Sequence, residues 1–531
     1  MHRFILTIFI GHVLLTGAHA QTVANNVDIL WADAQMESQK DVTSTDAIQT
    51  ESGYLILKRE PISGPGGWLY YLEEVNSDLE HVRSKSLEGK INEDEHLLIS
   101  KIVKTIDGFF LFSRSYDKQQ NSTKLFIQEI DVQNLTLSDR NEIGSVSNIE
   151  ARALYGVVTS TNNKSMMVYV KDDQYKNNEI WGTDRNKGKI KNVSMVVLNS
   201  KGLPQWEEKN YALNDLERNN DLMQLEVSDE GIVYLITKQS DIEHEKKMGV
   251  TVNSTETRVL ELIIADGKKI VKTKFLTTNN QILLNAFVKS SLYQNLLVYG
   301  FLGEGTNGAN FMFSKELDPL TGNELKSKLM ELDTSLMGKL PNRQQGEAGE
   351  NVRPMKTGLD QLRVIKVHQQ DNGKIIVMAQ RFYQTIYTPE KGASRIIDNY
   401  EDILVSKFDP ENNLLNHSKI LMKGSFLKNT KHFDLNEKIC FVFSDYKTRI
   451  EVREKGIENG FADTKHCALC VLTLHGDNTQ SKGMFYDYSD SKYKGYRRYK
   501  TNDLINLENG QLITSTYYGK KKFGVTLFKV R

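Results

Sequence analysis

Cysteine is scarce, at three in 531 residues: Cys440, Cys467 and Cys470. That excludes a disulfide framework as the source of stability. Cys467 and Cys470 form a Cys-x-x-Cys, but both lie in the run Cys467 to Leu474, which reads as a strand. Residues three apart on a strand point to opposite faces, so the two thiols are badly placed to bond each other or share a metal. A c-type haem site needs His after the second Cys, where Val471 stands, and a zinc site needs a second ligand pair. Buried thiols are the expectation. A bond from Cys440 to Cys467 or Cys470 is the rival in an oxidising compartment. Proline is also scarce, at eight, which excludes long Pro-rich linkers. An excess charge of one sign is missing, with 68 Lys and Arg against 68 Asp and Glu. No global field steers this chain to nucleic acid or anionic membranes.

Catalytic signatures are missing too. There is no Gly-x-Ser-x-Gly elbow, P-loop or Gly-x-Gly-x-x-Gly after a strand, and no complete EF-hand. His244-Glu245 continues with Lys246, Lys247 and Met248, not the spacing of a zinc protease. The Ser-x-Asp-x-Gly-x-x-Trp box is absent around Trp31, Trp68, Trp181 and Trp206. No catalytic residue, metal ligand or cofactor is therefore expected. Paired carboxylates of a glycosidase cannot be picked from 68 acids without spatial information.

One long apolar run is present, at the N-terminus. Arg3 precedes Phe4 to Leu15, and Ala18-His19-Ala20 supplies the small-x-small pattern of signal peptidase. Cleavage is expected between Ala20 and Gln21. The run is shorter than the about 20 apolar residues of a spanning helix, and no Cys follows the cleavage point to carry a lipid. Residues 1–20 read as a signal peptide, with 21–531 exported to the periplasm or cell exterior and no transmembrane segment left after cleavage.

The mature region repeats one pattern eight times: a turn rich in Gly, Asp, Asn or Ser, a short apolar strand, then a second strand. The first strands begin at Tyr54, Phe109, Met166, Ile232, Leu296, Ile375, Ile439 and Leu512. Their partners are Trp68 to Leu72, Leu125 to Val132, Met195 to Asn199, Leu260 to Ile264, Phe311 to Leu317, Ile403 to Phe408, Cys470 to Leu474 and Val525 to Val530. Each pair supplies the well-buried strands of a unit whose outer strands are more polar. Radial repetition of such units avoids long open edges. The pattern predicts an all-β chain, one β-propeller of seven or eight blades, with tandem β-sandwiches as the alternative. Val27 to Trp31 is expected to pair with the C-terminal strand and close the ring. From Asn323 to Leu340, apolar residues at spacings of three, four and seven predict a helix in an insertion at about 319–355.

The signal peptide, the Asn-, Lys- and Tyr-rich composition and units such as Asp371-Asn372-Gly373-Lys374-Ile375-Ile376-Val377-Met378 resemble uncharacterised secreted propeller-like proteins of Bacteroidetes type. The resemblance implies a fold and a compartment, and no site residue. From the residues themselves, the candidate binding segment is Tyr486, Tyr488, Tyr493, Tyr496, Arg497, Arg498 and Tyr499. Aromatic faces bind sugar rings, and arginines add charge-assisted hydrogen bonds. The bland alternative is an amphipathic strand and loop. An exported, non-enzymatic binding protein for a glycan, peptide or protein is the leading expectation. A polysaccharide hydrolase or lyase and a structural subunit of an envelope complex are the alternatives. Nucleic acid is not an expected partner.

Overall fold

The computed structural model describes residues 27–31, 42–61, 68–89, 97–117, 119–120, 122–147, 154–173, 190–213, 218–241, 259–276, 281–291, 295–304, 309–332, 351–354, 362–370, 372–388, 395–423, 430–435, 438–446, 467–487, 504–507, 510–518 and 522–530. All helix-or-strand structure among the described residues is strand, arranged as eight antiparallel sheets of four or five strands. The fold is an eight-bladed β-propeller. Two compact units divide the chain. The unit of residues 1–87 and 426–531 holds blades 1, 7 and 8; the unit of residues 88–425 holds blades 2 to 6.

Every predicted strand pair occupies the middle of a blade. In blade 1 the sheet order is Thr43–Gln49, Gly53–Pro61, Trp68–Asn76, His81–Leu87. Blades 2 to 7 centre on Phe109–Asp117 with Ser122–Asp131, Ser165–Asp173 with Ile190–Asn199, Val233–Asp241 with Val259–Ala265, Leu296–Glu304 with Ala309–Leu317, Ile375–Thr388 with Arg395–Phe408, and Lys438–Tyr446 with Cys467–Leu474. Middle strands are buried on both faces, so they read as continuous apolar runs instead of alternating ones. Leu55, Ile56 and Leu57 lose all solvent contact. Fourth strands have one free edge and alternate half-buried with exposed positions, as in Pro204–Ala212.

Within each unit the blades share cores. Met166, Val168 and Val170 of blade 3 pack on Phe110, Phe112 and Ile127 of blade 2. Met167 and Val197 pack instead on Leu225 and Val227 of blade 4. Alternation along one strand thus serves two neighbours. First strands of successive blades in the larger unit are also fastened directly. The Gln224 amide donates to Val288 O at 2.9 Å and accepts from Val288 N–H at 2.6 Å, and Asn285 Oδ1 accepts from Val364 N–H at 2.8 Å. Both side chains follow a β-bulge, which turns them out of their own sheet.

Blade 8 is assembled from both ends of the chain. Val27–Trp31 lies antiparallel to Lys522–Val530, with Val27 opposite Val530 and Trp31 opposite Thr526. The expected pairing of Val27–Trp31 with the C-terminal strand is observed.

The expected helix is corrected over part of its length. Glu324–Glu331 is the fourth strand of blade 5, with half-buried Lys326, Lys328 and Met330 alternating with exposed Leu325 and Leu329. A spacing of four keeps two residues on one side of a strand as well as of a helix, so Leu325 and Leu329 fit both periods. Asn351–Pro354 is a strand as well, and residues 333–350 lie outside the described set. Cys440 and Cys470 are buried thiols, neither in a disulfide. Cys440 faces Thr473 and Cys470 faces Phe443 in the ladder, which puts them on opposite sides of the blade 7 sheet.

Candidate functional site at the long-connection end of the blades

Each blade has two unlike ends. The first-to-second and third-to-fourth strand turns share one end, because consecutive strands are antiparallel. These turns are short and close on their own side chains. Asp266 Oδ1 accepts from the N–H groups of Lys268 and Lys269, both at 2.9 Å. Asp318 Oδ1 does the same for Leu320 and Thr321, and Asn199 Oδ1 for Lys201 and Leu203. The hairpin geometry needs a left-handed residue before the next strand, supplied by Gly267 with φ 79°, whose missing Cβ leaves room for the Trp206 ring of blade 3.

In the larger unit these turns also bond to one another. Asp229 of blade 4 accepts from the Asn162 N–H at 3.1 Å and the Asn162 amide at 2.7 Å, both of blade 3. Burial pushes Asp229 upward, but hydrogen bonds from Ser160 and Asn162 outweigh it and hold the carboxyl below its ordinary range. Trp206 Nε1 donates to Gly231 O at 3.0 Å. Donors and acceptors at this end are thus engaged in holding blades together.

The opposite end receives the remaining connections, among them 62–67, 174–189, 242–258, 447–466 and 488–503. Here the second strands change character. Tyr54-Leu55-Ile56-Leu57-Lys58 is followed by Arg59, Phe109-Phe110-Leu111-Phe112-Ser113 by Arg114, and Met166-Met167-Val168-Tyr169-Val170 by Lys171. Val233-Tyr234-Leu235-Ile236-Thr237 is followed by Lys238, and blade 6 carries Arg381 one place later. Three of these cations lie over aromatic rings. Arg59 sits 4.4 Å from the Trp68 ring centre, Arg114 5.6 Å from Tyr155 of the next blade, and Lys171 4.9 Å from Tyr169. Burial pushes the Tyr155 phenol far up, against smaller opposing effects of Ser100 and Arg114.

Blade 1 concentrates ionisable groups at this end. On one side of the sheet, Lys58 is ion-paired with Glu73, and the Tyr71 hydroxyl donates to Glu60 at 3.2 Å. Both glutamates are buried. On the other side of the sheet, and toward the short-turn end, Glu74 accepts from Arg83 Nε at 2.6 Å and from the Ser52 hydroxyl at 3.1 Å. Corresponding positions of the other third strands are mainly apolar, as in Val193 to Leu198 or Leu469 to Leu472. A buried charge is costly unless paired, so this departure from the repeat is a candidate for function.

The structure brings one of the sequence-derived binding residues to this end. Tyr486 is the penultimate residue of Gln480–Asp487, the fourth strand of blade 7, opposite Leu469. Tyr488, Tyr493, Tyr496, Arg497, Arg498 and Tyr499 belong to the connection leaving that strand and lie outside the described residues, as do Ala20 and Gln21. Sequence reasoning missed Arg59, Arg114 and Lys171. Their signal was available as a Lys or Arg two places after an apolar quartet, and is seen only once the quartets are aligned. Among the described residues, no cluster of three His, Cys, Asp or Glu could hold a metal, and no helix is long and apolar enough to cross a membrane.

No protein-family model matches this chain, and no curated protein does. Among solved structures it is similar to the Dos1 propeller, with TM-score 0.37 and 10% identity over 94% of this chain and 95% of that one. It is also similar to the polysaccharide lyase Uly1, with TM-score 0.35 and 11% identity over 81% and 89%. A third is a protein of unknown function from Dyadobacter fermentans, with TM-score 0.32 and 8% identity over 83% and 97%.

Proposed function

We propose that the chain is an exported binding protein that takes a glycan, peptide or protein ligand at the long-connection end of its blades. The observation that carries this is the contrast between the two ends. Polar groups of the short turns are spent on closing turns and joining blades. At the other end cations sit on aromatic rings beside the longer connections, and the Tyr486 strand leads into the Tyr- and Arg-rich segment. The N-terminal signal pattern supports export to the periplasm or beyond. The test is a glycan-array and pull-down screen with residues 21–531. Retention of a ligand, weakened by joint replacement of Tyr493, Tyr496 and Arg497 with Ala, is expected. Turnover of a model polysaccharide with no ligand retained would overturn the reading.

The blade 1 cluster favours a second reading, a hydrolase or lyase acting on polysaccharide. Glu60, Glu73, Lys58 and Tyr71 supply carboxylates, an ammonium and a phenol on one side of one sheet. In that case Glu60→Gln abolishes turnover while leaving the melting temperature in place.

A further inference from the structure

We propose that His417, Met312 and Met330 form a binding site for one soft monovalent cation, of the Cu(I) class, between blades 5 and 6. Both blades belong to the unit of residues 88–425. Tyr299, Phe301 and Met312 of blade 5 share a core with Val377, Leu404 and Phe408 of blade 6, and Met330 and Leu414 of the two fourth strands pack against it.

The ladders place the ligands on this face. Met312 stands opposite Met330, so the two side chains lie together on the side turned to blade 6. On blade 6, Ser406 stands opposite His417. Leu404 and Phe408, two places to either side of Ser406, both belong to the shared core, so Ser406 and His417 are turned to blade 5. The levels of the two blades are matched near their short turns. The Tyr299 ring centre lies 5.2 Å from that of Phe408, and Lys328 donates to Asn412 O at 3.0 Å. Two residues farther along each strand, Met312 and Met330 come level with Ser406 and His417.

The imidazole is prepared as a ligand. Its Nδ1 lies 2.8 Å from Ser406 Oγ, and Ser406 is itself buried. Its Nε2 is buried with no hydrogen-bond partner, a condition that calls for an explanation in a folded protein. When Nδ1–H donates to the serine, Nε2 carries the lone pair that a metal takes, and the serine fixes both the tautomer and the ring. Burial holds the imidazole below its ordinary value, so it stays neutral, the state that binds a metal. Thioethers are soft donors and select Cu(I)-like ions. The two ammonium groups of the face stand one level away: Lys328, bonded to Asn412 and Asn413, on the turn side, and Lys419, opposite Leu404, beyond. Like charge at that distance favours a monovalent ion over a divalent one. His417 and Met330 are half-buried on outer strands, which lets an ion reach them from the outer edge of the two blades.

The experiment titrates residues 21–531 with Ag(I), a soft monovalent probe that needs no reductant, and with Zn(II), in chloride-free buffer. Cys440, Cys467 and Cys470 compete for Ag(I) as thiolates, so they are first replaced by Ala, Ser and Ala. One Ag(I) per chain is expected, with a raised melting temperature, and no comparable binding of Zn(II). His417→Gln and Met330→Leu are each expected to weaken Ag(I) by more than about tenfold, the loss that follows even from removing a hydrogen-bond partner of a ligand. The proposal is overturned if the thiol-free chain binds no Ag(I), if Zn(II) binds as tightly, or if Ag(I) binding survives both replacements together. Should the thiol-free chain fail to fold, the unaltered chain labelled at its methionine methyl carbons decides. The Met312 and Met330 signals, assigned through Met312→Leu and Met330→Leu, must move on adding Ag(I) and stay on adding Zn(II). Signals that stay in place with Ag(I) overturn the site.

Discussion

Where the chain reverses at the short-turn end, it spends a few residues and ties each to a backbone N–H or to the adjoining blade. Asp266 to Lys269 is such a turn. At the other end of the same blade the connection is the much longer 242–258. The first end repeats from blade to blade, because fastening neighbours is the same task each time. The second varies, with a buried ion-pair cluster in blade 1 and stacked cations in blades 1, 2 and 3. A repeat scaffold thus separates a conformationally specified end from one whose side chains differ between blades, as recognition requires.

Four experiments break or sharpen that comparison. The largest effect belongs to the varied end. Glu73→Leu leaves the Lys58 ammonium buried without its counterion and is expected to cost about 3 kcal/mol in urea unfolding. The double variant Lys58→Met with Glu73→Leu should recover most of that loss. A loss no smaller in the double variant would mean that the pair holds the blade by more than its charges. At the fastened end, Gly267→Ala forces a left-handed alanine and presses its Cβ to 2.5 Å from the Trp206 ring. A loss of about 2 kcal/mol is expected. Trp206→Phe keeps much of the ring and loses the bond to Gly231 O, for about 1 kcal/mol.

The smallest effects are those of pH, and they arrive in two stages. Burial holds His417, whose Nδ1 lies 2.8 Å from the Ser406 hydroxyl, below its ordinary value. The unfolded chain then takes the proton first, so this contribution is full above about pH 6.5 and declines as pH falls below it. The turn aspartates follow at lower pH. Backbone hydrogen bonds from Lys269 and Lys268 hold Asp266 below its usual range. Thr321 does so chiefly for Asp318, Asn413 for Asp409 and Thr479 for Asp477. Their contribution is full above the unfolded value of about 3.9 and is lost as pH drops through the lower folded values. Melting temperatures across pH 8 to 2 check both stages, and His417→Gln should remove only the first.

Some of this was legible in the sequence and some was not, for physical reasons. Middle strands such as Tyr54 to Leu57 and Ile375 to Met378 are covered on both faces, so the apolar run announces them without any partner being known. First strands such as Arg218–Val227 are interrupted by a bulge and carry polar side chains for the next blade, which blurs their alternation. Fourth strands such as Glu324–Glu331 are exposed along one side, and their leucines fall at a spacing shared by helix and strand. The Tyr-rich segment after Tyr486 was visible as composition. The Arg114 and Tyr155 pair was not, because its members come from different blades and meet only when those blades stack.

The pairing of Val27–Trp31 with Lys522–Val530 sets an order of events. The ribosome delivers Val27–Trp31 about 490 residues before Lys522–Val530. Blade 8 therefore waits for the strands of blades 1 to 7 to be made, while blades such as the third are finished as soon as their own strands emerge. Until then Val27–Trp31 exposes the ladder edge that Lys522–Val530 will cover. A nascent chain stalled after blade 7 would carry that uncovered edge as its sticky end. Truncation by nine or ten residues at the C-terminus should therefore be read out as aggregation during production more than as a lowered melting point.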